Sequence, residues 1–257
     1  MIYVLVCAAA LLASCLTFFT GFGLGTLLMP VFAIFFAVEV AVASTAVVHL
    51  LNGAFKLVLV GRHADLKVAL RFGLPAILAA LAGARLLVLL ADLPAIASYE
   101  LAGRTFTVTS AKLGIGGLMI AFAAIELSPR TAKLEVAPRW LPLGGVVSGF
   151  FGGLSGHQGA FRSAFLVRSG LSPAAFVATG AAIALMIDVA RLAMYLPRLA
   201  LIEWRAHGPL LAAATASALA GALLGARLLE KATIRGLRIG VSVLLFVIAL
   251  ALIAGAI

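Results

Sequence analysis

The chain has 257 residues, of which 64% are hydrophobic and 11% are charged, and its mean hydropathy is +1.22. Soluble domains are about half apolar and about a quarter charged, so the composition excludes an ordinary soluble protein and leaves no room for a soluble catalytic domain. The net charge of +10 does not indicate nucleic-acid binding, because the basic residues lie singly between apolar runs. We therefore expect a single transmembrane domain over residues 1–257, with the lipid bilayer as its surroundings.

Ten apolar segments follow one another along the chain, five in each half. A helix needs about 20 apolar residues to span a bilayer, and two of the segments are shorter and bounded by glycines. These two, 22–37 and 157–169, are better interpreted as half-helices or re-entrant arms than as full spans. The ten segments predict an all-α polytopic membrane protein: 2–19, 22–37, 40–61, 67–91, 108–126, 139–155, 157–169, 172–196, 206–230 and 234–256.

The two halves share sequence patterns. Glycines interrupt an apolar run at Thr20–Pro30 and again at Phe151–Arg162, and ALAGARLL at Ala80–Leu87 matches ALLGARLL at Ala222–Leu229 at seven of eight positions. A duplicated unit with a broken hydrophobic segment in each copy is typical of secondary transporters. We predict two repeats, about 2–126 and about 139–256.

Loop charges predict that the repeats are inverted. The loops 62–71, 128–139 and 230–238 each hold three basic residues and one acidic residue, whereas 91–107 holds two acidic residues and one basic residue. Basic loops favour the cytoplasmic side, so we expect the first three inside and the fourth outside. Segments 40–61 and 172–196 would then cross in opposite directions.

A polar stripe runs along segment 40–61. Thr45, His49, Asn52 and Lys56 are spaced four, three and four residues apart, which places them on one face of a helix. Lipid cannot satisfy polar groups, so this face must contact protein or water. We predict that these four residues bind substrate.

The corresponding segment of the second half, 172–196, carries Asp188 and Arg191, which are three residues apart and can pair on one face. Aligning the two segments places Arg191 opposite Lys56 and Asp188 opposite Gly53. We predict that Arg191 binds substrate. Asp188 is a candidate for proton coupling together with His49, or it serves only to neutralise Arg191.

The two glycine-rich breaks supply further candidates. A break frees backbone N–H groups at the start of the next half-helix, and such a start attracts anions. The predicted substrate contacts here are Gly23 and Gly25 in the first break and Ser155, Gly156, His157, Gln158 and Arg162 in the second.

The balance of charges inside the spans favours a negative solute. Among the candidate site residues, the spans contain one acidic residue, Asp188, and three basic residues, Lys56, Arg162 and Arg191. A charge at the centre of a membrane helix costs about 2.5–3.5 kcal/mol. A bound anion would relieve this excess of positive charge. We therefore predict a small anionic substrate, although the cations could instead extend to the membrane surface.

No catalytic set, metal site or cofactor is expected. His63 and His207 lie in loops without a ligand at useful spacing, and the chain has no glycine-lysine phosphate loop. The protein is thus not expected to be an enzyme, and its energy would come from a proton or ion gradient.

The doubled pattern resembles the TauE/SafE sulfite exporter family, also called toluene-sulfonate uptake permeases. The residues that carry the resemblance are the glycine-rich breaks, Ala43–Thr45, Ala178–Gly180 and the Gly-Ala pairs at Gly83 and Gly225, and the match runs from about residue 10 to 250. It implies a multi-pass carrier of the bacterial inner membrane for sulfite, sulfonates or related small acids.

Three alternatives remain open at this stage. The chain could be an anion channel, a membrane-embedded sulfur-handling or assembly protein that uses Cys7 or Cys15, or a non-transporting subunit of a larger complex. A homodimer is also possible.

Overall fold

The structure is a computed structural model that describes residues 2–20, 23–101, 103–128, 136–200, 204–227 and 234–257. Ten α-helices occur within these residues, one for each predicted segment. Their bounds are α1 Ile2–Thr20, α2 Leu24–Ala33, α3 Val38–Val60, α4 Leu66–Ala91, α5 Ser110–Leu127, α6 Leu141–Ser155, α7 Gly159–Leu166, α8 Pro173–Ala200, α9 Trp204–Arg227 and α10 Ile234–Ile253.

The chain is an all-α polytopic membrane protein. Within the part of the chain that the structure describes, four stretches are long and apolar enough to cross a bilayer: Val38–His63, Leu66–Ala91, Pro173–Ala200 and His207–Arg227. The fold class predicted from the apolar segments is therefore confirmed.

Local sequence signals set several helix ends. The Asp65 side chain accepts a hydrogen bond from the backbone N–H of Val68 at 3.0 Å and caps α4. Thr109 caps α5 in the same way through the N–H of Lys112 at 3.2 Å. Such caps satisfy N–H groups that a helix start leaves without a partner.

One element was not predicted from the sequence. Across the loop expected over 91–107 and the first residue of the segment expected over 108–126, strands β1 (Ala97–Leu101) and β2 (Arg104–Val108) form an antiparallel hairpin. Tyr99 stacks on Phe106 across it with ring centroids 5.1 Å apart, and the Tyr99 hydroxyl donates to the Ala254 carbonyl at 2.6 Å. The hairpin and the end of α10 therefore lie at the same end of the molecule.

The two broken segments form helices that are shorter than predicted. The helix in segment 22–37 is α2, and every residue of α2 is buried. The helix in segment 157–169 is α7, and the Val136 N–H, just before α6, donates to the Ala164 carbonyl of α7 at 3.2 Å. Helix α7 thus returns toward the end from which α6 began, as expected of a re-entrant arm.

Helices of the two halves pack on each other in a reciprocal pattern. Helix α1 packs on α9 and α6 packs on α4, so the first helix of each half contacts the fourth helix of the other; α3 packs on α8 and α5 on α10. Two repeats related by a twofold axis would pack in this way. The inverted repeats themselves stay a prediction.

Glycines permit the close packing of α4 on α6. Gly145, Gly149 and Gly153 are spaced four apart on α6 and face the α4 backbone; a Cβ at Gly149 would lie 2.2 Å from the Ala76 carbonyl oxygen. Small residues at this spacing let membrane helices approach closely. The contact joins the two halves and fixes where the second break lies.

Candidate functional site

A cavity lies between α1, α3, α7 and α8, so both halves of the chain contribute to it. The cavity opens toward the surface, and its empty volume is about 430 Å³ when the open solvent at its mouth is included. Its walls are Thr17 from α1, His49, Asn52, Gly53 and Lys56 from α3, Arg162 and Leu166 from α7, and Phe176, Val177, Gly180, Ala181 and Ala184 from α8.

Two cations line the cavity. Lys56 and Arg162 come from different halves of the chain, and each residue is only 4% exposed. Gly180 of α8 lies against one of them: a Cβ there would be 3.5 Å from Nε of Arg162, an ordinary van der Waals contact. No lining residue is acidic among those that the structure describes, so the walls carry a positive potential.

A buried carboxylate lies beside this cavity. Both side-chain oxygens of Asp188 are engaged: Oδ2 lies 2.5 Å from His49 Nδ1, and Oδ1 accepts from Gln158 Nε2 at 3.0 Å and from Arg191 Nε at 2.9 Å. Arg191 Nη2 is also 2.8 Å from Oδ1, and neither member of the Asp188–Arg191 pair is exposed. Hydrogen bonds to ionised groups of this kind are about twice as strong as neutral ones.

The Asp188 carboxylate sets the orientation of its neighbours. Since an ionised carboxylate only accepts hydrogen bonds, His49 donates through Nδ1 and Gln158 donates through its amide nitrogen. The Gln158 Oε1 atom then accepts from Arg162 Nη1 at 3.2 Å. Asp188 is in this way connected to the cavity wall by two routes, one through His49 and one through Gln158 and Arg162.

The two glycine-rich breaks meet in the interior. A Cβ on Gly25 would lie only 2.5 Å from the Gly156 carbonyl oxygen, so any larger residue would push the breaks apart. Gly156 itself has a φ of 81°, a left-handed conformation that ends α6 and that glycine adopts without strain. Arg191 Nη1 would be 3.1 Å from a Cβ at Gly156, which places the buried cation against the second break.

The end of the bundle next to the β1–β2 hairpin is held closed by contacts that α8 makes with α6 and with the end of α4. The Tyr195 hydroxyl donates to the Gly153 carbonyl, and Arg191 Nη1 donates to the Gly152 carbonyl at 3.2 Å. Beyond them, Arg198 at the end of α8 forms an ion pair with Asp92 at the end of α4. The cavity thus lies on the side where α3 ends and α8 begins, and the hairpin side is packed.

The model of the sulfite exporter TauE/SafE family matches residues 6–252, nearly the whole chain. The chain belongs to this family. Comparison with curated proteins and comparison with solved structures each give no match. As a TauE/SafE protein it is a multi-pass membrane transporter of a family that handles sulfite-like anions, and its family is one of transporters rather than enzymes.

The structure of this TauE/SafE protein divides the residues predicted to bind substrate into three groups. His49, Asn52, Lys56 and Arg162 line the cavity together. Gln158 and Arg191 contact Asp188 next to it. The remaining predicted contacts are not among the described lining residues: Thr45, Gly23, Gly25, Ser155, Gly156 and His157.

Two of the residues outside the cavity have local partners instead. The Thr45 hydroxyl donates to the Ala41 carbonyl of its own helix at 2.8 Å. His157 stacks on Phe122 with centroids 4.7 Å apart, and its Nδ1 lies 3.0 Å from the Ser155 carbonyl oxygen. Both contacts support the fold around the cavity of the transporter.

Sequence reasoning missed the contribution of α1. Ser14 and Thr17 lie three residues apart in a largely apolar helix and both are buried. Thr17 lines the cavity, and Ser14 contacts Asn52. The signal was the spacing of two hydroxyl side chains on one helix face, the same kind of signal that singled out the stripe on α3.

Proposed function

We propose that this TauE/SafE protein is a secondary transporter that carries a small oxyanion, of the sulfite or sulfonate class, in the cavity between Lys56 and Arg162. The observation that carries the proposal is the convergence of two buried cations, one from each half, on a cavity whose described walls hold no carboxylate. A buried positive site is costly when empty. A bound anion offsets that cost, which is a physical reason for selecting negative solutes.

Alternating access is the second part of the proposal. The cavity lies toward the end where Asp65 N–H donates to Thr179 Oγ1 at 2.9 Å, and the opposite end is held by the Tyr195 and Arg198 contacts. Loop charge predicts that the Asp65 end is cytoplasmic. In this conformation the substrate site would face the cytoplasm of a bacterial inner membrane, and breaking the contacts at the other end would expose it to the outside.

Coupling to protons would use His49. Its ring lines the cavity while its Nδ1 faces Asp188, so protonation of the ring adds a positive charge next to the anion. The charged groups around it are Asp188 and Arg191 on α8, Arg162 on α7 and Lys56 on α3. A protonated ring would favour bound anion, and loss of the proton would favour release.

Transport can be tested with purified protein in liposomes. We expect labelled sulfite or methanesulfonate outside to exchange with unlabelled anion trapped inside, because a carrier cycles while loaded. Arg162→Ala should abolish this exchange, and Arg85→Ala should not, since Arg85 is exposed on α4. Anion current without exchange would identify a channel, and no anion flux with any substrate would refute the proposal.

Proton coupling needs its own measurement. With an imposed pH gradient and no substrate gradient, wild-type liposomes should accumulate the anion, and His49→Gln should exchange anion but fail to accumulate it. Equal accumulation by wild type and His49→Gln would show that His49 does not couple a proton.

A further inference from the structure

Gln158 lies between Arg162 of the cavity wall and Asp188, the buried carboxylate beside the cavity. Its Oε1 atom is 3.2 Å from Nη1 of Arg162, and its Nε2 atom is 3.0 Å from Oδ1 of Asp188. A guanidinium only donates hydrogen bonds and an ionised carboxylate only accepts them. The orientation of the Gln158 amide is therefore fixed from both ends, and one neutral amide group stands between the two charges.

Helix α6 holds the backbone of Gln158 in place. The Ser148 hydroxyl donates to the Gln158 carbonyl at 2.8 Å, and a Cβ at Gly152 would lie only 2.9 Å from the Cβ of Gln158. Gln158 directly precedes α7, and its carbonyl also accepts from the backbone N–H of Arg162 at 3.2 Å. Because Gln158 is 1% exposed, its amide is a fixed point in the interior that can hold a neighbouring side chain.

The Asp188 carboxylate is a competing partner for Arg162. Opposite charges attract more strongly away from water, and arginine pairs with carboxylates through more than one N–H group. Arg191 shows the result, since its Nε and Nη2 atoms both lie within 2.9 Å of Asp188 Oδ1 and its charge is neutralised there. An Arg162 side chain that joined this pair would no longer present its charge to a solute.

Glutamine satisfies both neighbours of position 158 without adding a charge. A glutamate there would repel Asp188 and neutralise Arg162. An apolar side chain would remove an acceptor from Arg162 and a donor from Asp188, and buried polar groups that lose partners are costly. The amide thus suits a position between a cation that must stay available and a carboxylate that must stay buried.

We propose that Gln158 is a positioning residue that keeps Arg162 at the cavity wall and prevents it from pairing with Asp188. Arg162 thereby keeps its charge for the anion, while Arg191 neutralises the carboxylate. The inference rests on the proposed function, because it takes Arg162 to bind the anion. It adds which residue keeps that charge available.

Calorimetric titration with methanesulfonate tests this role. Gln158→Leu removes both hydrogen bonds of the amide at similar size, so Arg162 should turn toward Asp188 and the affinity should fall at least about tenfold, the effect of losing a hydrogen bond to a charged group. In the background Asp188→Asn with Arg191→Met the buried carboxylate is absent. That background keeps both cavity cations and should bind methanesulfonate, and adding Gln158→Leu to it should lower the affinity less than about twofold.

Ser148→Ala is the matched control, because it loosens the backbone of Gln158 and leaves the two bonds of its amide in place. It should lower the temperature of unfolding and change the affinity for methanesulfonate less than about twofold. If Gln158→Leu does not fold, Gln158→Met, which keeps the unbranched shape, replaces it in both backgrounds.

The outcomes separate the role of Gln158 from the existence of the anion site. Unchanged affinity in Gln158→Leu overturns the proposal, and so does an equal loss in both backgrounds, because Gln158 would then not act against Asp188. An equal loss in Ser148→Ala overturns it by assigning the effect to a loosened break, and so does a double variant that does not bind. In each case, binding by the wild type that is lost in Arg162→Ala leaves the anion site standing. If the wild-type protein does not bind methanesulfonate, the proposed function fails first.

Discussion

Lys56 and Arg191 occupy corresponding positions in the predicted alignment of the two halves, but their surroundings differ. Arg191 is fully buried and bound to Asp188, three residues earlier on α8. Lys56 lines the cavity, and the residue three positions before it is Gly53. One cation is neutralised inside the packed end, and the other presents its charge to the cavity. The comparison teaches that the residue one helical turn away decides whether a buried cation stabilises the fold or attracts a solute.

The largest expected effect is the loss of stability when Arg191, the cation paired with Asp188, is replaced. Arg191→Met leaves the Asp188 carboxylate buried without its main counter-charge, and removing one partner of a buried ion pair costs about 3–5 kcal/mol. Unfolding of the detergent-solubilised protein, followed by near-ultraviolet circular dichroism during a thermal ramp, should show a marked loss of stability.

The matched control is the double variant Asp188→Asn with Arg191→Met, which removes both charges. It should recover a large part of the lost stability. If Arg191→Met alone is as stable as the wild-type protein, Arg191 and Lys56 do not differ in the way that the structure indicates.

Replacing Lys56, which lines the cavity, should have the opposite effect: anion affinity should fall and stability should not. Lys56→Met removes a charged donor from the anion, which is worth about 1.5–3 kcal/mol or about ten- to a hundredfold in affinity. Because the methionine is apolar and similar in length, stability should be unchanged or higher. Calorimetric titration with methanesulfonate measures the first effect and the same thermal ramp measures the second.

Lys67→Met serves as the control, since Lys67 is exposed on α4. It should bind methanesulfonate as the wild-type protein does. Loss of stability without loss of affinity in Lys56→Met would assign Lys56 to the fold rather than to the site.

Gly53→Asp tests the comparison directly by giving Lys56 the partner that Arg191 has. The position has space, because a Cβ there would lie 4.0 Å from the nearest atom, the Ala181 carbonyl oxygen. The new carboxylate should pair with Lys56 and lower anion affinity by about tenfold, or about 1.4 kcal/mol. Gly53→Asn has nearly the same shape without the charge and should lose much less; equal losses would point to steric exclusion.

The smallest effect is expected at the closed end. Asp92→Asn removes the ion pair with Arg198, whose partly exposed position limits its contribution to about 1 kcal/mol or less. The protein should then sample the other conformation more often. With Cys7 and Cys15 replaced by serine, a cysteine at the cavity residue Ala181 should react up to about fivefold more slowly with an impermeant thiol reagent added from the Asp65 side. An unchanged rate would show that this ion pair does not hold the end closed.

The sequence indicated the fold class and the candidate groups because both depend on local patterns. Ten apolar segments became ten helices, and the stripe from His49 to Lys56 came to lie on one buried face, as a helix of 3.6 residues per turn requires. The glycine-rich breaks were correctly expected to interrupt helices, since glycine ends α6 at Gly156.

The sequence did not reveal the hairpin Ala97–Val108, whose strands are short and mostly exposed. The substrate contacts predicted at Thr45 and His157 stay a prediction: in the structure Thr45 bonds its own helix and His157 stacks on Phe122. Spacing along one helix cannot say which neighbouring helix a side chain will meet.

What the sequence by itself determined is an all-α membrane protein with an excess of positive charge inside its apolar segments, because hydropathy and charge are properties of single residues. The tertiary structure alone decided how those charges are distributed. Packing α8 against α3 and the second break brought Asp188 to Arg191, His49 and Gln158. The same packing left Lys56, Arg162 and Asn52 around the cavity, since only contacts between distant segments determine which charge pairs with a carboxylate and which lines a cavity.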